Sequence, residues 1–443
     1  MERRRWLTAV AIAGVLAVAA AACASNNQGG GGGGANATQK CNQDQFGCVV
    51  YKAGEPIQLG TLLAISGSTA FLGTDSQHGV QLAIDDLDGK LDGKAGTLLG
   101  HPVKMINEDD GCSAEGGQSG AQKLVGNPQL LAVIGTSCSS AALGVADKIF
   151  SDKGILLISP SNTNPNLTAS GSHQPFYLRT AHNDKIQGSV VADFTVKKLH
   201  AKTAATIHDE SPYADALAAV FRQNFEKLGG TIVPNGNQAI QSTDTDFHSL
   251  LTQIGQQSPD VLYYPDFDPA CALIAKQSAE VQGLSNTNLI GSDGCLETAY
   301  LQTGGNAVFG TYASGPDFSG LQQTNAFYRD QFLPAYKKQF GTQPTASFHA
   351  HAFDAANILF DAVKKAAINQ GGTLSIPRTA LKDAIFATKG YHGLTGTITC
   401  TPLGDCATSV TIAVFKAPNW PVEGGKGNGK PVFKETKTLA QVS

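Results

Sequence analysis

Charged side chains are scarce in this sequence. Lysine, arginine, aspartate and glutamate make up 15% of the 443 residues, against about 25% in an average soluble domain. The charges of the 32 basic and 36 acidic residues nearly cancel and leave a formal charge of −4. The chain therefore lacks the excess of positive charge that is typical of nucleic-acid-binding proteins. A hydrophobic content of 42% excludes a disordered chain. The length suggests two or three folded domains.

The sequence also lacks the common short motifs of catalysis and metal binding. It has neither a G-x-S-x-G nucleophile turn nor an H-E-x-x-H zinc helix. Residues 424–430 match a phosphate-binding loop, but Pro431 stands where that loop needs a serine or threonine for magnesium. His349 and His351 are two residues apart, a spacing at which helical side chains do not face each other. We expect no metal ion, no cofactor and no enzyme activity.

Only one stretch is long and apolar enough to meet a membrane, and it lies at the N-terminus. Three arginines precede the uncharged residues 6–22, an arrangement typical of a secretory signal peptide over residues 1–22. The run ends in three alanines before Cys23, as in a bacterial lipobox, in which the cysteine is lipidated after cleavage. Cleavage after Ala22 without a lipid is the alternative.

The nine cysteines are an odd number for a secreted protein, in which a leftover thiol is unexpected. If Cys23 carries a lipid, eight remain, and no two of them have the C-x-x-C spacing of a zinc or redox site. They fall into sequence-local pairs: Cys41 and Cys48, Cys112 and Cys138, Cys271 and Cys295, Cys400 and Cys406. Four disulfides in an oxidising exterior explain this number, although the sequence leaves their connectivity open.

Glycine, asparagine, glutamine and threonine dominate the stretch after Cys23, which includes six consecutive glycines at 29–34. We predict a lipidated flexible tether over residues 23–55, which as a coil spans roughly 30 Å. An unstructured N-terminus without an anchoring role would have the same composition.

From residue 57 onward, short apolar runs alternate with segments of helical periodicity. Strands are predicted at 57–65, 103–106, 131–134, 155–158, 204–207, 261–264 and 289–290, and helices at 77–87, 121–125, 213–228 and 271–281. Ser211-Pro212 and Asp268-Pro269 follow strands directly and are typical N-cap and first-turn residues of helices. The pattern predicts an α/β fold with two doubly wound parallel-sheet lobes. A ligand would bind where helix N-termini meet the carboxyl ends of the strands.

Several segments resemble the leucine/isoleucine/valine-binding protein family, the solute-binding components of branched-chain amino-acid ABC transporters. The similar segments are LLAISGSTAFLG at 62–73, NEDDGCS at 107–113, VIGTSCSS at 133–140, GILLISPSNTNPNLT at 154–168, HDESPYADAL at 208–217, DVLYYPDFDP at 260–269 and GSDG at 291–294. They occur in the family's order and cover about residues 57–415.

The resemblance implies a type I periplasmic-binding fold, in which two α/β lobes joined by three crossovers close on a ligand. Transferred to this chain, the first lobe comprises 56–183 and 317–393, and the second lobe comprises 184–316 and 394–443. It implies a disulfide between Cys112 and Cys138 in the first lobe. Cys271 and Cys295 would link loops after neighbouring strands, and Cys400 and Cys406 would staple a hairpin around a TPLGD turn.

The resemblance also implies residues that bind an amino acid. Ser139 matches a serine at a helix start that binds the ligand carboxylate, while Ser161 and Thr163 match positions that give a backbone contact and a hydroxyl. Asp293 matches the acid that receives the α-ammonium group, which needs a buried carboxylate. Tyr213 matches an aromatic residue of the second lobe that closes over the ligand.

Three further residues complete the expected site. Phe267 lies near a second aromatic position of the family, and Leu72 and the region of Phe348 would line the side-chain pocket. Several branched-chain-type members have glutamate in place of Asp293, and Leu72 replaces a usual aromatic residue. The serines and Thr163 could instead be caps and turns, and Asp293 a turn former.

We therefore expect an extracytoplasmic solute-binding lipoprotein of an ABC importer, anchored to the bacterial cell membrane by its N-terminal lipid. Its ligand would be an amino acid of the branched-chain type or a related small polar solute. Its partners would be the ABC permease subunits, and the protein would be a monomer. The alternatives are a ligand-sensing module for a signalling partner and a surface enzyme.

Overall fold

The structure is a computed structural model that describes residues 32–422, 424–426 and 428–442. The predicted signal peptide and the predicted lipidation site Cys23 lie outside these residues. Within the described part of the chain, the two largest sheets have six and seven strands. No helix in that part is long and apolar enough to cross a membrane.

Strands and helices alternate along most of the chain. The strands are β1 Cys48–Tyr51, β2 Ile57–Leu63, β3 Thr97–Leu98, β4 His101–Asp109, β5 Leu130–Gly135, β6 Leu156–Ser159, β7 Tyr177–Arg179, β8 Thr203–His208, β9 Thr231–Ala239, β10 Val261–Tyr264, β11 Asn288–Gly291, β12 Tyr312–Pro316, β13 Ile368–Gln370, β14 Thr373–Pro377, β15 Tyr391–Gly393, β16 Gly396–Ile398, β17 Ser409–Lys416 and β18 Phe433–Thr438. The helices are α1 Gly32–Gln43, α2 Ala70–Asp85, α3 Ala114–Val125, α4 Ser139–Ala141, α5 Asp147–Asp152, α6 Asp184–Lys197, α7 Pro212–Lys227, α8 His248–Gly255, α9 Ala270–Ser278, α10 Thr298–Gly304, α11 Phe318–Thr324, α12 Leu333–Phe340, α13 His349–Ala366, α14 Arg378–Phe386 and α15 Leu439–Val442.

The first lobe is built on the six-stranded sheet, whose strand order is β3-β4-β2-β5-β6-β7. Its central strands are parallel, and every residue of the apolar strand β5 is buried, as expected for a sheet covered on both faces. Helices α2 and α13 pack against each other beside this sheet. Gly79 permits their close approach, because a Cβ atom at this position would lie 2.1 Å from the backbone oxygen of His349.

The second lobe is built on the seven-stranded sheet, with the order β18-β17-β12-β11-β10-β8-β9. The strands from β8 to β12 are parallel, while β17 and β18 add an antiparallel edge. The predicted two-lobed α/β fold is confirmed, but the sheets are mixed and not wholly parallel. In the first lobe, β3 pairs antiparallel with β4.

The chain passes three times between the two sheets. The passages lie between β7 and α6, between β12 and α11, and between β16 and β17. The lobe boundaries that the resemblance implies, at residues 183 and 316, lie near the first two passages and remain a prediction. Leu394, Ile398 and Cys406 pack in the core of the first lobe. We therefore propose that the third passage follows Cys406 and does not begin at residue 394.

The predicted tether over 23–55 is wrong for its second half, because this segment is folded onto the first lobe. Strand β1 pairs with β14, and Val49 and Tyr51 are buried in the first-lobe core. The Tyr51 hydroxyl donates to the Gln129 backbone oxygen at 2.7 Å. Asp44 accepts hydrogen bonds from the backbone and the hydroxyl of Thr379.

The eight cysteines of the described part form the four local disulfides that their spacing suggested. These are Cys41–Cys48, Cys112–Cys138, Cys271–Cys295 and Cys400–Cys406. Cys112–Cys138 joins the loops after β4 and β5, and Cys271–Cys295 joins the segments after β10 and β11. Both therefore lie at the carboxyl ends of parallel strands.

The two predicted helix starts have different outcomes. The side chain of Ser211 accepts a hydrogen bond from the Ala214 backbone, and Pro212 is the first residue of α7, as predicted. Helix α9 begins one residue later than predicted, at Ala270, with Pro269 as its N-cap. Asp268 still supports this helix, because its Oδ1 accepts from the Ala272 backbone nitrogen at 3.0 Å.

Candidate functional site

The loops at the carboxyl ends of the strands of both lobes enclose a cleft of about 500 Å³. The first lobe contributes residues 66–69, 111–114, 138 and 140. The second lobe contributes residues 209, 211–213, 242 and 266–270. This is the edge at which ligands bind in open α/β sheets. The volume falls within the range of small-molecule sites.

On the first-lobe side, the serine-rich loops that follow β5 and β6 are bonded to each other. The Ser139 hydroxyl oxygen accepts from the Asn164 backbone nitrogen at 3.3 Å, and the Ser161 hydroxyl donates to the Ser137 backbone oxygen at 2.8 Å. Ser139, Ser161 and Thr163 are all buried. These bonds hold the two loops together as one wall at the lobe interface.

Arg179, which the sequence analysis missed, anchors that wall. Its guanidinium group is fully buried and forms an ion pair with Asp405 at 2.7 Å. It also donates to the backbone oxygens of Asn162 and Asn164 at 3.1 and 2.8 Å, on either side of Thr163. The sequence offered one sign of this role, because Arg179 ends the otherwise apolar strand β7 and a buried charge requires partners.

On the second-lobe side, Tyr213 and Asp293 form one unit. Tyr213 lines the cleft, and its hydroxyl lies 2.8 Å from Oδ1 of Asp293 and 2.7 Å from the Ser292 hydroxyl. Gln187 donates from Nε2 to the same carboxylate oxygen at 2.7 Å. Burial, followed by the charge of Asp293, raises the pKa of Tyr213 well above its usual range. The tyrosine is therefore a neutral hydrogen-bond donor at this position.

A second carboxylate lies in the same interior, and the sequence analysis missed it as well. Asp184 is fully buried at the start of α6, and neither of its carboxylate oxygens accepts a hydrogen bond of good geometry. Burial and the neighbouring charge of Asp293 raise the pKa of Asp184 well above its usual range. In the sequence, Asn183-Asp184 has the composition of an ordinary helix cap, so nothing distinguished it.

Asp184 and Asp293 are not ion-paired, although the charge of Arg179 partly offsets the rise in the pKa of Asp184. Among the described residues, no lysine or arginine forms an ion pair with either carboxylate. Buried acids without a counter-ion are costly. A ligand ammonium group that entered this interior would supply the missing positive charge.

The two residues predicted for the side-chain pocket and the predicted second aromatic residue share one small hydrophobic cluster. Leu72 and Phe348 are buried in it, and Phe267 packs against it from the second lobe. The rings of Phe267 and Tyr213 lie 5.1 Å apart. The cluster therefore connects the apolar part of the first lobe to the aromatic wall of the second.

The two lobes touch at the edge of the cleft. The Asn164 side-chain amide donates to the Pro212 backbone oxygen, which joins the loop after β6 to the start of α7. Of the eight predicted ligand-binding residues, Tyr213 and Phe267 line the cleft. The other six are buried and are not among the residues that line it: Ser139, Ser161, Thr163, Asp293, Leu72 and Phe348. The contact of all eight with a ligand remains a prediction.

The chemistry of the interface is that of a polar binding site with two buried acids, hydroxyl-rich loops and an aromatic wall. Across residues 32–422, 424–426 and 428–442, no group of three or more histidine, cysteine, aspartate or glutamate side chains could hold a metal ion. Four residues of the segment that nearly matches a phosphate-binding loop line a separate surface pocket and not the cleft: Gly424, Gly425, Asn428 and Gly429.

Comparison with known proteins agrees with this architecture. The family model described as "Periplasmic binding protein" matches residues 56–416. The Leu/Ile/Val-binding protein BraC3 of Rhizobium johnstonii is 28% identical over 360 residues, which are 81% of this chain and 91% of the relative. The Leu/Ile/Val-binding protein of Escherichia coli K12 is 29% identical over 262 residues, or 59% of this chain and 68% of the relative.

Solved structures show the same fold. The leucine binding protein LivK of Thermotoga maritima superposes with a TM-score of 0.72 at 24% identity, covering 87% of this chain and 99% of LivK. A solute binding protein of an ABC transporter from R. palustris in complex with benzoate has a TM-score of 0.68 at 20% identity, covering 87% and 96%. The fold is that of type I periplasmic-binding proteins, and the chain belongs to the periplasmic binding protein family, together with the Leu/Ile/Val-binding proteins.

Proposed function

We propose that this protein is the solute-binding component of an ABC importer and that it binds an amino acid or a related small polar solute between its lobes. The observation that carries the proposal is the pair of buried acids, Asp184 and Asp293, neither of which forms an ion pair with a lysine or arginine among the described residues. An α-ammonium group bound there would donate hydrogen bonds to the carboxylates and be neutralised by them.

The ligand carboxylate would bind at the opposite wall. Ser139 begins the short helix α4, and the loop that carries Ser161 and Thr163 is held in place by Arg179. Backbone N–H groups and hydroxyls of these loops can donate hydrogen bonds to the ligand carboxylate. Because a zwitterionic amino acid has zero net charge, we do not require a basic side chain to balance this carboxylate. Tyr213 and Phe267 would close over the ligand.

The test is a thermal-shift panel of amino acids, amides and aromatic acids on the full mature protein. A ligand that binds only the folded state raises its stability by RT ln(1 + [L]/Kd), or about 2.7 kcal/mol at one hundred times Kd. We expect amino acids to raise the melting temperature and benzoate, which lacks an ammonium group, to leave it unchanged. A shift with benzoate and none with any amino acid would contradict the assignment of the acids. Conversion of a bound ligand to a product would favour the alternative of a surface enzyme.

We also propose that the protein is extracytoplasmic, monomeric and tied to the membrane through a lipid on Cys23, where it delivers its ligand to the permease subunits. The odd number of cysteines and the alanine triplet before Cys23 support the lipid. Replacing Cys23 by serine should move the mature protein from the membrane fraction to the soluble fraction. Unchanged fractionation would contradict a lipid anchor without affecting the assignment of the cleft.

A further inference from the structure

The outer wall of the cleft on the second-lobe side is acidic. Asp209, Asp266 and Asp268 all line it, and among the described residues that line the cleft none is lysine, arginine or histidine. This acidic wall is separate from the interior acids, because the ring of Tyr213 lies in the cleft while its hydroxyl reaches inward to Asp293. Both groups of acids are nevertheless close, since the backbone of Asp266 packs against Gly294, which follows Asp293.

Asp266 is buried beside a second acid, Asp209, and among the described residues that line the cleft no basic side chain accompanies the pair. The Asp266 side chain is 2% exposed, and Oδ1 accepts only the local bond from the next backbone nitrogen, that of Phe267. Oδ2 is buried and accepts no hydrogen bond. Asp209 beside it is half-buried and, after the larger effect of burial, raises the pKa of Asp266 well above its usual range. Asp266 therefore holds its proton more readily than an ordinary aspartate, and a cation bound beside the two acids would favour release of that proton.

Asp268 differs, because it has a structural role. It caps α9 through the Ala272 backbone, and it lies next to Glu297, which raises its pKa after the effect of burial. Asp209 accepts a local bond from the Ser211 backbone nitrogen at 2.9 Å. We assign cation binding in the acidic wall to the pair formed by Asp209 and Asp266. The aromatic pair of Tyr213 and Phe267 lies beside them in the same wall, and aromatic faces attract cations.

We propose that the ligand carries a second positive charge at its distal end, which binds to Asp209 and Asp266 at the mouth of the cleft. This inference rests on the proposed function and narrows it to amino acids with a cationic side chain, of the lysine, ornithine and arginine class. The α-ammonium group would bind Asp184 and Asp293 inside, and the flexible side chain would pass the Tyr213 ring to reach the acidic wall. A purely apolar side chain would leave both outer acids without a counter-ion.

The experiment compares L-arginine with L-citrulline, which has nearly the same shape but an uncharged ureido group, by calorimetry on the full mature protein, with L-leucine as a third ligand. A charge pair in a desolvated site favours the cation strongly, so we expect L-arginine to bind at least about tenfold more tightly than L-citrulline. The variant Asp266→Asn should reduce this preference to within about threefold and leave the affinity for L-citrulline nearly unchanged.

Two further variants make the test specific. Asp209→Asn, at a half-buried position, should also reduce the preference for L-arginine, and it replaces Asp266→Asn if that protein does not fold. Glu210→Gln is the matched control, because it removes one negative charge from an exposed residue of the same loop that does not line the cleft. It should keep the full preference.

The outcomes separate this inference from the proposed function. If L-leucine or L-citrulline binds as tightly as L-arginine, the distal charge is wrong and the amino-acid site stands. If the preference survives both aspartate variants, the acidic wall does not bind the cation. If none of the amino acids binds, the proposed function fails together with the inference.

Discussion

Asp293 accepts hydrogen bonds from Tyr213 and Gln187, but neither neighbour neutralises its charge. Asp293→Asn keeps a side-chain oxygen that can accept both bonds, so the unliganded protein should lose little stability. The bound ammonium group would lose a buried counter-ion, which typically costs about 2–5 kcal/mol, or roughly thirtyfold to several-thousandfold in affinity. Calorimetry with the best ligand of the panel measures this loss.

Ser139→Ala is the comparison for Asp293→Asn. It removes one neutral hydroxyl, while backbone N–H groups of the same loops remain for the carboxylate, so we expect a cost of about 0.5–1.5 kcal/mol. If the Asp293→Asn affinity lies within about threefold of the wild type, the ligand has no ammonium group at that carboxylate. A fall in melting temperature with unchanged affinity would instead indicate that Asp293 is a turn former.

Asp354 provides a pH-dependent test of the first-lobe core. It is buried on α13, and its carboxylate accepts from the backbone of Leu394 and from the backbone and hydroxyl of Thr395. Burial raises its pKa to about 6 despite these donors. The folded protein thus keeps a proton that the unfolded chain releases near pH 4, and this contribution to stability is lost as the pH rises through 6.

The cost of Asp354→Asn in unfolding free energy should therefore be larger at pH 4 than at pH 7.5, by about 2 kcal/mol. Urea unfolding at the two pH values measures it. Asp361→Asn on the same helix is the control, because its side chain is 39% exposed and pairs with Lys364 at the surface. An equal cost of Asp354→Asn at both values would mean that Asp354 has an ordinary pKa in the folded protein.

The placement of single residues could be predicted where a motif surrounds them and not where only the fold brings them together. Ser139, Tyr213 and Asp293 stand in segments with a family pattern. Asp184 follows a passage between the lobes, and its position next to Asp293 depends on how α6 meets the second sheet. Arg179 reaches the loop around Thr163 only because β7 lies beside β6.

At the scale of elements, alternation of apolar runs with helical periodicity predicted the parallel strands well. The predicted strand at 261–264 coincides with β10, and the helix predicted at 213–228 differs from α7 by one residue at each end. The antiparallel edge strand β18 was missed, because its alternating charged residues are half-exposed and lack an apolar run. The strand β1 was missed, since glycine-rich sequence precedes it and its partner β14 lies more than 300 residues away.

Strand β1 gives a direct test that residues 48–51 are part of the first-lobe core and not of a flexible tether. Tyr51→Ala should cost about 3–5 kcal/mol of unfolding free energy, as expected when a buried aromatic side chain is truncated in a core. Val50→Ala, at the neighbouring position of the same strand, should change it by at most about 0.5 kcal/mol, because Val50 is 43% exposed. If chemical denaturation shows that both variants lose the same small amount of unfolding free energy, residues 48–51 are detached in solution and the predicted tether extends to residue 55.

At the scale of the whole molecule, the side-chain amide of Asn164 donates across the lobes to the backbone oxygen of Pro212. Solute-binding proteins of two lobes respond to ligand by hinge closure, and a ligand shifts the equilibrium toward the state that it binds better. Small-angle scattering should therefore show a smaller radius of gyration at saturating ligand than without ligand. The same radius in both conditions would contradict closure.

Asn164→Ala tests whether closure contributes to affinity. The variant removes a cross-lobe hydrogen bond, which is worth about 0.5–1.5 kcal/mol, so ligand affinity should fall about two- to tenfold. Asn166→Ala is the control, because Asn166 is an exposed residue of the same loop and its side chain forms no cross-lobe bond in the described structure. If both variants bind as the wild type does, the lobes close without this contact. A loss of affinity in Asn164→Ala alone, with a larger radius of gyration in the unliganded protein, would show that the contact holds the closed form that the ligand selects.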